Sequence, residues 1–334
     1  MPYRPRIVVS SALLSRIEEI AACRARIEAA SIEVPWIPML QKDARIRNAH
    51  ASTAIEGNPL TLEQVRDLDE GRPLPAVTPR SRREILNYFA GLRFVEGHAS
   101  KGEIRHADVL RVHALLAEGV MDQGNAGEYR TIRVRVGKHV PPPPGEVRGL
   151  MDELLEWWNE EAPRWSPVVT SAVLHFRFEE IHPFADGNGR TGRMLALWEL
   201  FRRGFDTHHF FSVDEHDWED RPRYYAALDR VRLLGGDLTN WLEYRAEGLQ
   251  RTLEAVWARL QRISAAAGPA KITLRPRQEQ LLQMLRDRGG MAPREIWGAL
   301  GVSKQGAMDL LRPLLDAGLV KREGTKKSGR YLLA

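Results

Sequence analysis

The chain has 334 residues, 43% hydrophobic and 28% charged, a soluble composition in which no run approaches the ~18 apolar residues that a membrane span requires. Its formal net charge of +5 is unevenly placed: residues 268–334 hold thirteen Lys/Arg against six Asp/Glu, net +7, whereas the first 267 hold 36 against 38, net −2. The single cysteine, Cys23, excludes an intramolecular disulfide and a cysteine-based metal cluster, and the start of the chain shows no secretory signal, so a cytoplasmic protein with no membrane contact is expected.

Leu13, Ile17, Ile20 and Ala21 recur at helical spacing, extended by Ile27, Ala30 and Ile32 until Pro35 interrupts. A second helix is expected over 43–56, stopped by Gly57-Asn58-Pro59, and Thr61 with Gln64 forms a capping box for the next. A loop over 71–75 precedes helices over 81–96 and 106–118. After the Gly124-Asn125-Ala126-Gly127 turn, residues 129–136 alternate β-branched and long polar side chains, which suits a strand or hairpin arm ended by Gly137. Pro141 to Pro144 then impose an extended polyproline run.

Ser166-Pro167 is an N-cap and N1 pair for a helix carrying Val169, Ala172, Val173 and Phe176 on one face. Another helix is expected from about Gly189 to Arg203, with Gly204 as its stop. A long helix from Trp241 leads to a linker at 265–269. Beyond it come a helix over 277–288, one opened by Pro293, a turn at Gly301, and one capped by Ser303 that Pro313 would kink. Two short strands at 319–322 and 330–333 flank a basic tip at Lys326-Lys327. This is the pattern of a winged helix-turn-helix. The expected architecture is all-α with a small hairpin: 1–100 helical, 101–267 a core with its linker helix, and 268–334 the winged module. Trp157-Trp158 reads as packing, and His208-His209 lacks the spacing of a metal site.

The segment His182-Pro183-Phe184-Ala185-Asp186-Gly187-Asn188-Gly189-Arg190-Thr191-Gly192-Arg193 puts a histidine and a carboxylate on a glycine-rich loop that runs into a helix with two arginines near its start. Glycines allow close backbone approach, and N–H groups at a helix start point at an anion. Arg190 and Arg193 share a helix face and can grip phosphate oxygens, Asp186 can hold the Mg²⁺ of a nucleoside triphosphate, and the imidazole of His182 is the natural general base for a hydroxyl. Any one of these residues alone reads as turn or surface; their convergence reads as a phosphate site.

The segment resembles the Fic family signature, H-x-F-x-[DE]-G-N-G-R-x-x-R, at every specified position, and the likeness extends over roughly 101–247. The resemblance implies a helical core with a β-hairpin flap and the transfer of AMP from ATP to a Ser, Thr or Tyr hydroxyl of a protein. It assigns His182 as base, Asp186 as Mg²⁺ ligand, and Gly187, Asn188 and Gly189 as the anion hole. Arg190, Thr191, Gly192 and Arg193 follow it toward the phosphates. Val134, Arg135, Val136 and Gly137 become a flap over the nucleotide that pairs with an extended target segment. Tyr224 and Tyr225 match residues that line the adenosine pocket; where some members place an asparagine seven residues further on, this chain has Arg232.

Upstream, Ser52-Thr53-Ala54-Ile55-Glu56-Gly57 resembles the family's inhibitory motif, [ST]-x-x-x-E-[GN]. Glu56 ends a helix, where the macrodipole disfavours an anion, so a distant partner is expected. Alternatives are a deadenylylase running through the same site and a nucleotide-sensing DNA-binding regulator. Expected partners are a target protein bearing a hydroxyl, the chain itself among the candidates, and a second copy in a homodimer. For 268–334 two readings stand: DNA contact through Lys304, Gln305 and the wing, or a basic protein-docking module.

Overall fold

Capping side chains set many of the helix ends in the computed structural model, which describes residues 3–30, 36–74, 77–206, 208–267, 274–324 and 329–334. The expectations for Ile32, Pro35, Pro75, Gly268-Pro269 and Lys326-Lys327 lie outside these residues.

The Ser10 hydroxyl accepts from the Leu13 N–H at 3.1 Å to open α1 (Ser11–Ala29), whose buried stripe is Leu13, Ile20, Cys23 and Ile27. The second helix, α2 (Trp36–Ile55), begins well before residue 43, because Pro38 falls in its first turn, where a missing N–H is tolerated. The Thr61–Gln64 capping box is present at the head of α3 (Leu62–Asp69). Thr78 caps α4 (Pro79–Gly97), and α5 (His106–Ala117) follows.

The arm at 129–136 is not a strand. Its only β-bridge joins Val136 to His139, because the Arg130 N–H goes to Pro183 O at 2.9 Å and the Ile132 carbonyl to the Arg130 guanidinium at 3.1 Å, which removes cross-strand partners. The proline run is also shorter than expected. Pro143 is extended (φ −55°, ψ 149°), but Pro144 opens α6 (Pro144–Glu156), a helix that the sequence pattern did not lead us to expect. Proline at the first helical position is pre-organised for the turn, and Val147, Met151, Leu154 and Leu155 then bury one face. A π turn over Trp157–Glu161 buries both tryptophans, as expected of packing residues.

At the centre lie α7 (Pro167–Ile181), capped by the Ser166 hydroxyl, and α8 (Asn188–Arg202). Nearly every side chain of both is buried, so neither shows an amphipathic stripe, the mark of helices enclosed on all sides. The two approach closely at Gly192, where an added Cβ would stand 2.7 Å from Glu179 Oε1 and 3.1 Å from Phe178 Cδ1. Buried Glu199 accepts from Trp158 Nε1 at 2.6 Å and from the Thr170 hydroxyl at 2.8 Å. Short α9 (Glu215–Glu219), then α10 (Arg221–Leu233) and α11 (Thr239–Ala267) complete this part, and Trp241 Nε1 donates to Ala172 O at 2.8 Å. The start of the chain is tied in as well, since Leu238 N donates to Arg6 O at 2.9 Å.

The chain divides into two units, one of residues 1–28 and 40–257, the other of 29–39 and 258–334. In the second, α12 (Pro276–Arg288), α13 (Pro293–Leu300) and α14 (Lys304–Asp316) pack with the antiparallel pair β1 (Val320–Glu323) and β2 (Arg330–Leu333). Their core is Leu281, Leu285, Ile296, Leu311, Leu314 and Tyr331, among others. Gly301 takes φ 61° at the end of α13, Ser303 caps α14, and α14 runs on through Pro313 to Asp316.

Candidate active site

The loop between α7 and α8 is held by its own polar atoms. Helix α7 ends because His182 enters the left-handed region (φ 48°, ψ 61°), a conformation that costs a non-glycine residue on the order of 1–3 kcal/mol. Asn188 closes the loop, its Oδ1 accepting from Phe184 N at 2.9 Å and its Nδ2 donating to Phe184 O at 2.8 Å. Gly187, at φ 77°, caps α8 in a conformation that only glycine adopts freely. The first intrahelical bond there, Thr191 N to Gly187 O at 3.1 Å, leaves the N–H groups of Asn188, Gly189 and Arg190 without intrahelical acceptors, an arrangement that binds anions. Beside them, Asp186 Oδ1 accepts from Gly187 N at 2.6 Å and Oδ2 lies 3.4 Å from Asp122 N.

Both signature arginines are buried, and they differ in occupancy. Arg190 is 4% exposed with Nε and Nη1 lacking hydrogen-bond partners; Glu84 Oε1 is 3.8 Å from Nη1. Arg193 donates from Nε to the Ser52 hydroxyl and from Nη2 to Ser52 O, each at 2.8 Å, and from Nη2 to Glu56 Oε1 at 2.7 Å. Asp214 Oδ2 lies 3.8 Å from its Nε, and burial pushes the Asp214 carboxyl above its ordinary range despite Arg193. For Glu56, burial opposes ionisation, but the charge and hydrogen bond of Arg193, with Arg190 and Arg221 further off, outweigh it and hold the carboxyl below its ordinary range. A capping box from Thr53 to Glu56 does not form, since the Thr53 hydroxyl donates back to Ala49 O at 2.7 Å. Glu56 lies over the start of α8 so closely that a Cβ on Gly189 would overlap its carboxylate.

His182 has a buried Nδ1 with no hydrogen-bond partner, and Glu179 Oε2 stands 3.6 Å away. Tyr224 is buried and shares a 3.1 Å hydrogen bond with His175, whereas Tyr225 is 36% exposed beneath the Arg221 guanidinium, 5.5 Å from its ring centroid. Arg232, at the position of the absent asparagine, pairs with Glu180 at 3.3 Å and Asp229 at 2.9 Å. In the flap, Val134 and Val136 are half-buried and Arg135 and Gly137 exposed; Arg135 Nε donates to Gly137 O at 3.1 Å.

Two further signature residues face the scaffold: the Thr191 hydroxyl donates back to Gly187 O at 2.9 Å, and Gly192 is turned toward Glu179 and Phe178 of α7. His113 was missed. Its ring stacks on Phe184 with centroids 3.6 Å apart, its Nδ1 accepts from Gly127 N at 2.9 Å, and its Nε2 therefore carries the proton and donates to Asp186 O at 2.9 Å. Burial lowers its pKa to about 4. Nothing local marks it except a polar residue within the apolar face of α5.

Residues 103–200, which include the glycine-capped start of α8 and the buried arginine pair, match the model of the Fic/DOC family, so the helical core carries a Fic/DOC domain. The chain is 32% identical over 249 residues to the protein adenylyltransferase Fic of Drosophila willistoni and 32% over 250 to that of Aedes aegypti, in each case 73% of this chain and 48% of the relative. It thus spans about half the length of these relatives. Among solved structures it is similar to a Fic family protein from Desulfovibrio desulfuricans (TM-score 0.67, 28% identity, 99% of this chain and 98% of that one). It is also similar to Fic-1 of C. elegans (TM-score 0.67, 26% identity, 75% and 74%).

Proposed function

We propose that the chain is a protein adenylyltransferase that moves AMP from ATP to a Ser, Thr or Tyr hydroxyl of a protein. The observation that carries this reading is the convergence of free N–H groups at the start of α8, the unpartnered Arg190 donors, the Asp186 carboxylate and the His182 imidazole around one loop. His182 takes the hydroxyl proton, the oxygen forms a bond to the α-phosphorus, and the bond from that phosphorus to the β-bridging oxygen breaks, releasing pyrophosphate. The N–H groups and Arg190 stabilise the charge that develops on the phosphoryl oxygens. Tyr224 and Tyr225 form the nucleoside side of the site, and Val134 to Gly137 guide the target segment. The relatives named protein adenylyltransferase support the reaction class.

Among the described residues no three His, Cys, Asp or Glu side chains cluster as a metal cage. One oriented carboxylate is nevertheless sufficient for Mg²⁺, which takes most of its ligands from phosphates and water, so Asp186 fits that role. When bound, the ion would neutralise charge on the leaving pyrophosphate.

Glu56 is the proposed internal inhibitor, because its ion pair with Arg193 occupies the guanidinium expected to hold the γ-phosphate. Residues 268–334 form the proposed winged helix-turn-helix module, with α14 and the hairpin meeting DNA; the net charge of +7 supports an anionic partner. The test of the enzymatic reading is incubation with ATP labelled at the α- or the γ-phosphate. Label retained covalently on protein from the α position alone is the expected result. Retention of γ-label would identify a kinase, and nucleotide-dependent DNA binding without label would identify a regulator.

A further inference from the structure

Arg130 stands outside the signature, yet it touches more of the active-site backbone than any residue within it. Its side chain is 4% exposed and, among the described residues, makes no ion pair with a carboxylate. Every donor goes to a main-chain carbonyl. Nε donates to His182 O at 2.8 Å, Nη1 to Ile132 O at 3.1 Å, and Nη2 to Pro142 O at 2.6 Å and Ile181 O at 3.4 Å. Its own N–H donates to Pro183 O at 2.9 Å. Burying a guanidinium without a counter-charge is unfavourable, and it is sustained here because four carbonyl contacts replace its hydration.

Those carbonyls fall into two groups. Ile181, His182 and Pro183 form the turn in which His182 is held at φ 48°, away from its local preference. Ile132 and Pro142 are the two feet of the flap, whose tip is closed by the Val136–His139 bridge and held to α7 where His139 Nε2 stands 3.1 Å from Glu180 O. One rigid planar fork therefore joins the peptide planes around the base to both ends of the segment proposed to receive the target. A lysine at this position has a single point donor and cannot span both groups.

We propose that Arg130 is a positioning residue that fixes the backbone of His182 and couples it to the flap, so that the base is aimed only while the flap feet are in place. The role rests on the adenylyl-transfer reading for its catalytic consequence, but not for its structural one. Misplacing a base by about 1 Å can reduce turnover by ~10²-fold.

The test uses the full chain in the Glu56→Gly background, with Arg130→Lys and Arg130→Gln. The Gln amide reaches about as far as the arginine Nε, so it can keep the His182 O bond while losing the flap feet. Two readouts are taken: turnover of α-labelled ATP with its KM, and the rate at which diethylpyrocarbonate modifies His182 in nucleotide-free protein, followed by peptide mass spectrometry with His50 and His106 as internal references. Arg130→Lys is expected to lower kcat by ~10²-fold with the ATP KM within about threefold, and to speed His182 modification severalfold relative to the reference histidines. Arg130→Gln is expected to keep His182 reactivity near that of the parent. Unchanged His182 reactivity in Arg130→Lys overturns the proposal, as does a parallel rise at all three histidines, which would mean general loosening. If the Glu56→Gly parent itself shows no label, the adenylyl-transfer reading fails, and the modification rates alone decide the positioning role.

Discussion

Replacing Glu56 with glycine removes one hydrogen-bonded ion pair from a guanidinium whose side chain is fully buried, and the magnitudes can be followed on both sides of that contact. A hydrogen bond to a charged group contributes about 1.5–3 kcal/mol, but the Glu56 side chain is 35% exposed and solvent screening reduces this toward about 1 kcal/mol. Arg193 keeps both bonds to Ser52 and the nearby Asp214, so the buried charge is not abandoned. For a unit of this size a loss of that order lowers Tm by about 2–4 °C. The same ~1 kcal/mol, no longer opposing the γ-phosphate, changes the fraction of Arg193 available to nucleotide by several-fold. Realignment of the α-phosphorus adds to this, since misplacement of about 1 Å can slow a reaction ~10²-fold. Auto-labelling with α-labelled ATP should therefore rise by an order of magnitude or more in Glu56→Gly and vanish in Glu56→Gly with His182→Ala. Labelling that stays at the parent level while Tm drops would make Glu56 a structural tether and refute the inhibitory reading.

Substitution His182→Ala alone should lower transfer by at least ~10²-fold while ATP binding, measured calorimetrically, persists; near-normal transfer would remove the residue from the role of base. Binding of DNA by the chain should weaken steeply with salt and weaken further in Lys304→Ala, whereas absence of retention at low salt would favour a protein-docking module. Burial raises the Asp206 carboxyl to about 7, above its unfolded value, even though it accepts from Phe210 N and Phe211 N, each at 2.9 Å. The folded state then binds more protons than the unfolded one between roughly pH 4 and 7, so stability should fall as pH rises through that window, by on the order of 4 kcal/mol at most. Denaturant titrations of the parent and Asp206→Asn across this range check it: the difference between them should carry the slope, and parallel curves would contradict the assignment.

The loop from His182 to Arg193 is legible in the amino-acid sequence because its chemistry is local. Glycine at Gly187, the Asn188 side chain closing on Phe184, and the helix start that follows are set by residues within a few positions of each other. Caps at Thr61, Ser166 and Ser303 are legible for the same reason. Glu56 can be singled out because it sits against its local preference at a helix end, but the identity of its partner, 137 residues away, comes with the fold. Periodicity says which face of a helix is apolar, not which side chains of other elements will meet it. Hence His113 reaching Asp186 across 73 residues, Arg130 reaching His182 across 52, and Asp214 standing beside Arg193 have no sequence signal. Gly192 illustrates the limit from the other direction. A missing side chain permits close approach by a ligand or by a neighbouring helix equally well, and only the packing of α7 against α8 decides that here it admits the helix.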